Sequence, residues 1–450
     1  MESVLIDKYN ISVPRYTSYP TVPHWKDETP TQAEWLTHLK ATYDSNPGVS
    51  LYIHLPFCEA LCTYCGCNKR ITKNHEVEES YIDAVLKEWS IYLAQFDHDP
   101  IIKEIHLGGG TPTFFDAKQL DRLISTILND CVIPDEHKFS FEAHPNSTTS
   151  EHLVTLYKLG FRRISIGVQD VSPEILKVIN RTQTSDEVRS LTKWSRAIGY
   201  TSVNYDIIYG LPFQKPTHIY DTAQFIAENR PDRIAFYSYA HVPWKSPSQR
   251  AFTKDDVPVG ESKSELYDLG RFLLELEGYQ AIGMDHFCLA DEALNVAYQN
   301  GKMHRNFMGY TTNYTNCCIA LGASSISDSW TMYIQNEKHI ETYQEIVATG
   351  RLPICKGHLL SESEKMMRKV ILDLMCRDYA EWPHISALSI AITPFLPNLD
   401  EMVEDGLVIY TPNSIKVTKA GKFFIRNICA AIDPIFQDTV YDRPVFSQVI

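Results

Sequence analysis

Four cysteines fall within ten residues, Cys58, Cys62, Cys65 and Cys67, and the first three keep the spacing Cys-x3-Cys-x2-Cys. Thiolates at such spacing hold zinc or an iron-sulfur cluster. Structural zinc modules usually pair two Cys-x2-4-Cys knuckles across an intervening stretch, and no second knuckle is found here. Three thiolates from one loop suit a cluster with four iron corners, one of which stays open. An open corner would be a defect in a structural site. In a catalytic site it is where a substrate chelates, as open zinc centres illustrate. Cys67, two positions beyond the third thiolate, is badly spaced for a fourth ligand on the same cubane. It is expected to donate a hydrogen or to pack as a small thiol.

The group belongs to a chain of 450 residues, with room for about three domains or one large barrel with appendages. Apolar residues make up 44% and charged residues 22%, which excludes collagen-like and largely disordered classes. Eleven cysteines, an odd total, argue against a disulfide framework. The seven outside the group (Cys131, Cys288, Cys317, Cys318, Cys355, Cys376 and Cys429) are expected to pack as small apolar residues. The formal charge of −14 offers no basic field for nucleic acid or an anionic membrane, so neither is an expected partner. The opening residues carry no basic, apolar leader pattern, and a cytoplasmic location is expected.

Six strand-like segments recur at βα spacing: 50–55, 104–107, 138–142, 163–168, 202–208 and 233–239. Amphipathic helical patterns lie between them at 78–96, 117–128, 150–159, 185–197 and 219–228. The alternation predicts an α/β fold: a partial (β/α)6, TIM-like barrel with a parallel sheet. Chemistry in such barrels gathers at the carboxyl ends of the strands. The expected organisation is an N-terminal arm and lead-in helix over 1–45, a barrel with extension over 46–345, and a mostly helical C-terminal domain over 346–450. In the last part, helices at 361–378, 398–404 and 420–431 and a hairpin at 406–417 resemble a winged helix. The acidic balance favours a structural cap over a DNA-binding role.

Period-two alternation on the first strand puts Tyr52 and His54 on one face, and Leu51, Ile53 and Leu55 on the other. A parallel strand covered by helices has no solvent face, so the polar pair is expected to look into the barrel. Gly108-Gly109-Gly110-Thr111 follows the second strand, where glycines let backbone approach a ligand. Glu142, Gln169, Asp206 and Ala240 lie at or just beyond the ends of the next four strands. Each alone would pass as a loop or capping residue; their convergence supports a site.

The run Cys58-x3-Cys62-x-Tyr64-Cys65 resembles the signature of the radical S-adenosylmethionine (SAM) enzymes. That resemblance implies a 4Fe-4S cluster on Cys58, Cys62 and Cys65 whose open iron takes the amino and carboxylate groups of SAM, with reductive cleavage to a 5′-deoxyadenosyl radical. Further segments narrow it: Pro14-Arg15-Tyr16-Thr17-Ser18-Tyr19-Pro20, Gly66-Cys67-Asn68-Lys69, Gly167-Val168-Gln169-Asp170, Asp206-Ile207-Ile208-Tyr209-Gly210-Leu211-Pro212 and His304-Arg305-Asn306-Phe307-Met308-Gly309-Tyr310. Together they resemble the oxygen-independent coproporphyrinogen III oxidase (dehydrogenase), or HemN, family over nearly the whole chain.

The resemblance implies two SAM molecules. Tyr52, Gly109, Glu142 and Ile326 would contact the cluster-bound one, and Tyr64, Gly110, Thr111, Gln169, Arg181, Asp206 and Ala240 the second. Tyr52, His54 and Cys67 are the expected catalytic residues. Tyr64 replaces a phenylalanine of some relatives, and His144 stands where some carry a second carboxylate, which alters only the surroundings of Glu142. The implied reaction turns two propionates of coproporphyrinogen III into vinyls, giving protoporphyrinogen IX and CO2 in haem biosynthesis, with a flavodoxin or ferredoxin as electron donor and a monomeric enzyme. Arg15, Lys69, Arg70 and Arg305 are candidate cations for the substrate carboxylates, and the Arg15-Tyr16 arm is expected to cover the barrel mouth. The alternative is a haem chaperone of the HemW type, which keeps the three-cysteine motif but typically lacks the fourth cysteine and the long arm.

Overall fold

Six parallel strands form where the βα spacing predicts them: β1 (Val49–Leu55), β2 (Ile102–Gly109), β3 (Lys138–Ala143), β4 (Phe161–Gln169), β5 (Ser202–Tyr209) and β6 (Arg233–Ser238). They pair in that order, each parallel to the next. The computed structural model describes residues 3–26, 29–244, 246–384, 386–441 and 445–449. Leu51, Ile53 and Leu55 of β1 are fully buried in one apolar cluster with Tyr81 and Val85 of the helix Val77–Leu93 and Leu120 and Leu123 of the helix Ala117–Asn129. Each such leucine or isoleucine contributes about 1.5–3 kcal/mol by leaving water.

The crossover helices begin and end on local signals. Before Ser185–Ile198, the Thr184 hydroxyl accepts from Glu187 N at 3.3 Å, and the Glu187 carboxylate takes Thr184 N at 2.7 Å. The helix stops at Gly199, whose φ of 115° suits glycine. A short helix, Pro173–Val178, follows β4 and was not predicted, since six residues are too few to display a helical period.

The sheet runs wider than six strands. β7 (Gln280–Ile282) and β8 (His286–Cys288) add antiparallel strands beyond β6. On the other edge β9 (Cys317–Leu321) pairs in parallel with β1, followed by antiparallel β10 (Ile326–Asp328), β11 (Met332–Asn336) and β12 (Ile354–Leu359). The order is β12-β11-β10-β9-β1-β2-β3-β4-β5-β6-β8-β7, so the parallel run holds seven strands. β9 reads Cys-Cys-Ile-Ala-Leu and is buried throughout, so it shows no alternation, and its partner β1 lies far away in sequence.

A second apolar cluster joins the two ends of the chain, with Tyr9, Tyr16 and Tyr19 against Ile371, Leu374, Phe424 and Ile428. The hydroxyls of Tyr16 and Tyr19 donate to Asp433 at 3.0 and 3.1 Å, and Arg15 pairs with Asp285. The arm is thus pinned between the C-terminal region and the β7–β8 extension. The expected hairpin forms between Val408–Thr411 and Ser414–Val417, and an unpredicted strand, Tyr379–Glu381, joins its edge. The expected helix over 420–431 starts as a 3-10 turn, Gly421–Phe424, before Ile425–Ala431. The one over 398–404 is preceded by a 3-10 run, Thr393–Leu399, where Pro394 and Pro397 lack the N–H an α-helix needs. Among the described residues no helix is long and apolar enough to cross a membrane.

Candidate active site

The cysteine loop leaves the carboxyl end of β1 and is closed at its base by a two-residue parallel pairing, Phe57–Cys58 with Arg70–Ile71. Its tip is tied to neighbouring connections rather than left free. Thr63 N donates to Ile179 O at 3.2 Å, and Asn180 Nδ2 to Leu61 O at 2.7 Å. From the segment after β6, Ser248 Oγ reaches Thr63 O at 3.0 Å, and Gln249 Nε2 bridges Tyr64 O and Ala240 O at 3.4 and 3.2 Å. Lys69 Nζ donates to Cys65 O and Cys67 O at 3.1 and 3.2 Å.

Each of the first three thiols meets a different neighbour. Thr111 Oγ1 donates to Cys58 Sγ at 3.3 Å, and Arg181 reaches Cys62 Sγ at 3.7 Å. Cys65 is pulled down to about 6 by a hydrogen bond from Cys67, with the Lys69 ammonium adding to it, while Cys67 itself is pushed well up. The same contact favours the thiol form of Cys67, whose residue is exposed on the loop. Burial pushes Cys58 up to about 11. The charges of Cys62 and Cys65 are felt at Cys58, yet among the described residues no three His, Cys, Asp or Glu side chains converge on a single ion's position. Thiolate donors offered from one loop suit the irons of an iron-sulfur cluster.

Beside the loop, Tyr52 OH and His54 Nδ1 lie 3.0 Å apart, and His54 Nε2 is 2.9 Å from Asn68 O. A carbonyl only accepts, so Nε2 carries the proton and Nδ1 accepts from the tyrosine. Burial lowers the His54 pKa, which keeps the ring neutral. Register carries the polar band across the sheet, Tyr52 opposite His106 and His106 opposite Ser140. The Tyr52 and His106 rings stack at 6.0 Å and 19°. His106 Nδ1 lies 2.8 Å from Ser140 Oγ, and its Nε2 3.6 Å from Glu142 Oε1. Glu142 Oε2 accepts Gly109 N at 3.3 Å. Asp206 accepts from Ser165 and Asn204, both at 2.9 Å, and is pushed up to about 7 by burial and by the charge of Glu142.

Close approach explains two of the glycines. A Cβ on Gly109, whose φ is 113°, would lie 2.7 Å from the His54 ring, and one on Gly110 would lie 2.6 Å from the Pro56 carbonyl carbon. Arg181 is buried and fans out, to Gly167 O at 2.7 Å, Gln183 Oε1 at 2.7 Å and Tyr64 OH at 3.1 Å. Gln169 is buried at the end of β4 with φ 67°. His144 is held neutral, down to about 3, by burial and the Arg181 charge.

Tyr52, His54, Gly109 and Glu142 thus form one group, Cys62, Tyr64 and Arg181 another, and Cys58 with Thr111 a third. Ile326 stands apart, packed with Trp25, Tyr333 and Leu360 on β10, two strands from β1. His106, Gln183 and Gln249 were not anticipated. For His106 the signal was present, since its parity on β2 matches Glu104 and Gly108 on the face that meets Tyr52. Of the proposed cations, Arg70 pairs with Glu341 in solvent and Lys69 serves the cysteine loop.

Comparison with known proteins decides the family. The radical SAM superfamily model matches residues 52–226. The chain is 34% identical over 453 residues to the oxygen-independent coproporphyrinogen III oxidase of Pseudomonas aeruginosa, covering 99% of this chain and 98% of that protein. It is 36% identical over 451 residues to the Escherichia coli protein of the same name, with the same coverage. This chain belongs to the oxygen-independent coproporphyrinogen III oxidase family. The solved structure of the Escherichia coli coproporphyrinogen III oxidase, HemN, a radical SAM enzyme, superposes with a TM-score of 0.88 at 34% identity, covering 93% of this chain and 97% of the solved one. As a radical SAM oxidoreductase, a coproporphyrinogen III oxidase family member uses a 4Fe-4S cluster and SAM.

Proposed function

We propose that this chain oxidatively decarboxylates two propionates of coproporphyrinogen III to vinyls without oxygen, giving protoporphyrinogen IX and CO2 in haem biosynthesis. Cys58, Cys62 and Cys65 hold three irons of the cluster, and Cys67 remains a protein thiol. When bound and reduced, the cluster would supply, by cleaving SAM, the radical that takes hydrogen from the propionate β-carbon; the substrate radical then loses CO2 and passes one electron to an external one-electron acceptor to give the vinyl. Tyr52, Glu142, Gly109 and Ile326 orient the SAM at the cluster. Tyr64, Gly110, Thr111, Gln169, Arg181, Asp206 and Ala240 receive a second SAM. His54, with its tautomer set between Tyr52 and Asn68, keeps a proton on Nε2 and accepts the Tyr52 hydroxyl at Nδ1. The arm and lead-in helix (1–45), barrel (46–345) and C-terminal region (346–450) act as one monomeric cytoplasmic enzyme served by a flavodoxin or ferredoxin.

The observation that supports this reading most is the meeting of the cysteine loop with the connections after β2 and β4, Thr111 at Cys58 and Arg181 at Cys62 and Tyr64. Anaerobically reconstituted protein given SAM, dithionite and coproporphyrinogen III tests it. Protoporphyrinogen IX and CO2 are the expected products. Haem transfer without CO2 release would instead mark a chaperone of the HemW type, and a colourless, iron-free preparation a zinc protein.

A further inference from the structure

The chain is acidic overall, yet it buries a cluster of cations beside the carboxyl ends of β5 and β6. Arg15, Tyr209, Ser238, Asp285 and Arg426 line one small cavity there. Arg426 is 5% exposed, and its guanidinium donates only to backbone carbonyls and to one hydroxyl, Pro14 O at 3.1 Å and Ser447 Oγ at 3.2 Å among them. Lys263, 6% exposed, donates to Tyr239 O at 2.6 Å. Neither meets a carboxylate among the described residues. Burial, with repulsion from Arg15, draws Arg426 down to about 9, and burial, with repulsion from Arg426 and Arg15, draws Lys263 to about 7. Asp285 is the one carboxylate in contact with the cluster among the described residues, and Arg15 and His286 Nδ1 already occupy it.

Arg305 is the sharpest case. It is 6% exposed, its guanidinium carbon sits 4.5 Å over the Tyr310 ring, and its Nε has no hydrogen-bond partner among the described residues. A buried guanidinium with an unfilled donor is costly unless an anion completes it. Arg305 and Asp285 feel each other's charge, and the Tyr237 hydroxyl, at the end of β6, feels Asp206, Asp285, Arg15 and Glu142 together. The Tyr237 ring packs edge-on against His286 at 6.0 Å and His286 against Tyr310 at 5.4 Å, the ring under Arg305, so packed side chains link Arg305 to the end of β6.

We propose that Arg305, with Arg15, the ion-pair partner of Asp285, binds a carboxylate of the substrate that does not react, and so sets which propionate faces the cluster. This rests on the coproporphyrinogen reading above. The guanidinium plane matches a carboxylate edge, and the tetracarboxylate substrate has groups to spare for such an anchor. Arg15 is held by Asp285 and by the buried Tyr16 next to it in the arm, and the charge of Arg305 also reaches Asp285.

The test compares coproporphyrin III with its tetramethyl ester, by fluorescence quenching on the cluster-loaded protein, for the wild type, R305Q, R305K and R15Q. Wild type is expected to prefer the free acid by about a hundredfold, the range of a good charge-assisted pair. R305Q is expected to lose about tenfold or more of that preference while SAM binding and iron content stay unchanged, with R305K recovering only part. R15Q, at a partly exposed position, is expected to lose a smaller part in the same direction. Full acid-over-ester preference in R305Q, or in R15Q if R305Q does not fold, would overturn the proposal. Failure of wild type to turn over coproporphyrinogen III would instead overturn the functional reading on which it rests.

Discussion

Tyr52 and His54, two residues apart on β1, are joined by a 3.0 Å hydrogen bond that leaves His54 one tautomer, because its other nitrogen faces the Asn68 carbonyl. Neither ring can turn without losing a partner at the mouth of the cysteine loop. Y52F is therefore expected to lower turnover about tenfold or more with the iron content unchanged. Anaerobic steady-state assays on reconstituted protein check this, and a change within about twofold would mean that the pair does not position anything the reaction needs.

Cys67, exposed and two positions beyond Cys65, lies outside the expected ligand set of Cys58, Cys62 and Cys65. C67S is expected to keep its iron, sulfide and visible spectrum, since a serine hydroxyl still donates to the Cys65 sulfur. C58S, C62S and C65S are each expected to lose most of the iron. Parallel iron and sulfide determinations on the four variants decide it.

Arg181 spans Gly167 O, Gln183 and Tyr64 with one planar fork, a geometry lysine cannot reproduce. R181K is expected to lose the second SAM while retaining the cluster-bound one. Equilibrium dialysis with labelled SAM measures the stoichiometry, and equal loss of both would tie Arg181 to the whole mouth instead.

Glu88 is fully buried under Tyr343 Oη, Asn336 Nδ2 and Gly322 N, and burial pushes it from 4.5 to about 7. Below pH 4.5 it is protonated folded or unfolded. Between pH 4.5 and about 7 the folded chain keeps a proton that the unfolded chain releases, so stability falls as pH rises and levels off above. The slope from this group is at most about 1.4 kcal/mol per pH unit. E88Q is expected to flatten that part of the Tm–pH curve, and an unchanged slope would assign it to other buried acids.

The barrel was legible because each of its first six strands carries its own local pattern, and the carboxyl-end rule then pointed to Glu142, Gln169 and Asp206. β9 was not, because five consecutive buried residues show no period and pair with a strand more than two hundred positions away. His106 could have been read by extending the Tyr52 alternation to the next strand, which register places opposite it. Gln249 could not, since its two acceptors, Tyr64 and Ala240, belong to different loops brought together only by the folded sheet. The buried state of Arg305 likewise depends on packing between the β7–β8 extension and the C-terminal region, which no local pattern encodes.

An anaerobic crystal structure of the reconstituted protein with SAM tests the central claim most directly. The account predicts a cubane held by the sulfurs of Cys58, Cys62 and Cys65, with the amino and carboxylate groups of SAM on the remaining iron. A protein side chain on that iron, Cys67 included, or a single metal ion among the three thiolates would contradict it.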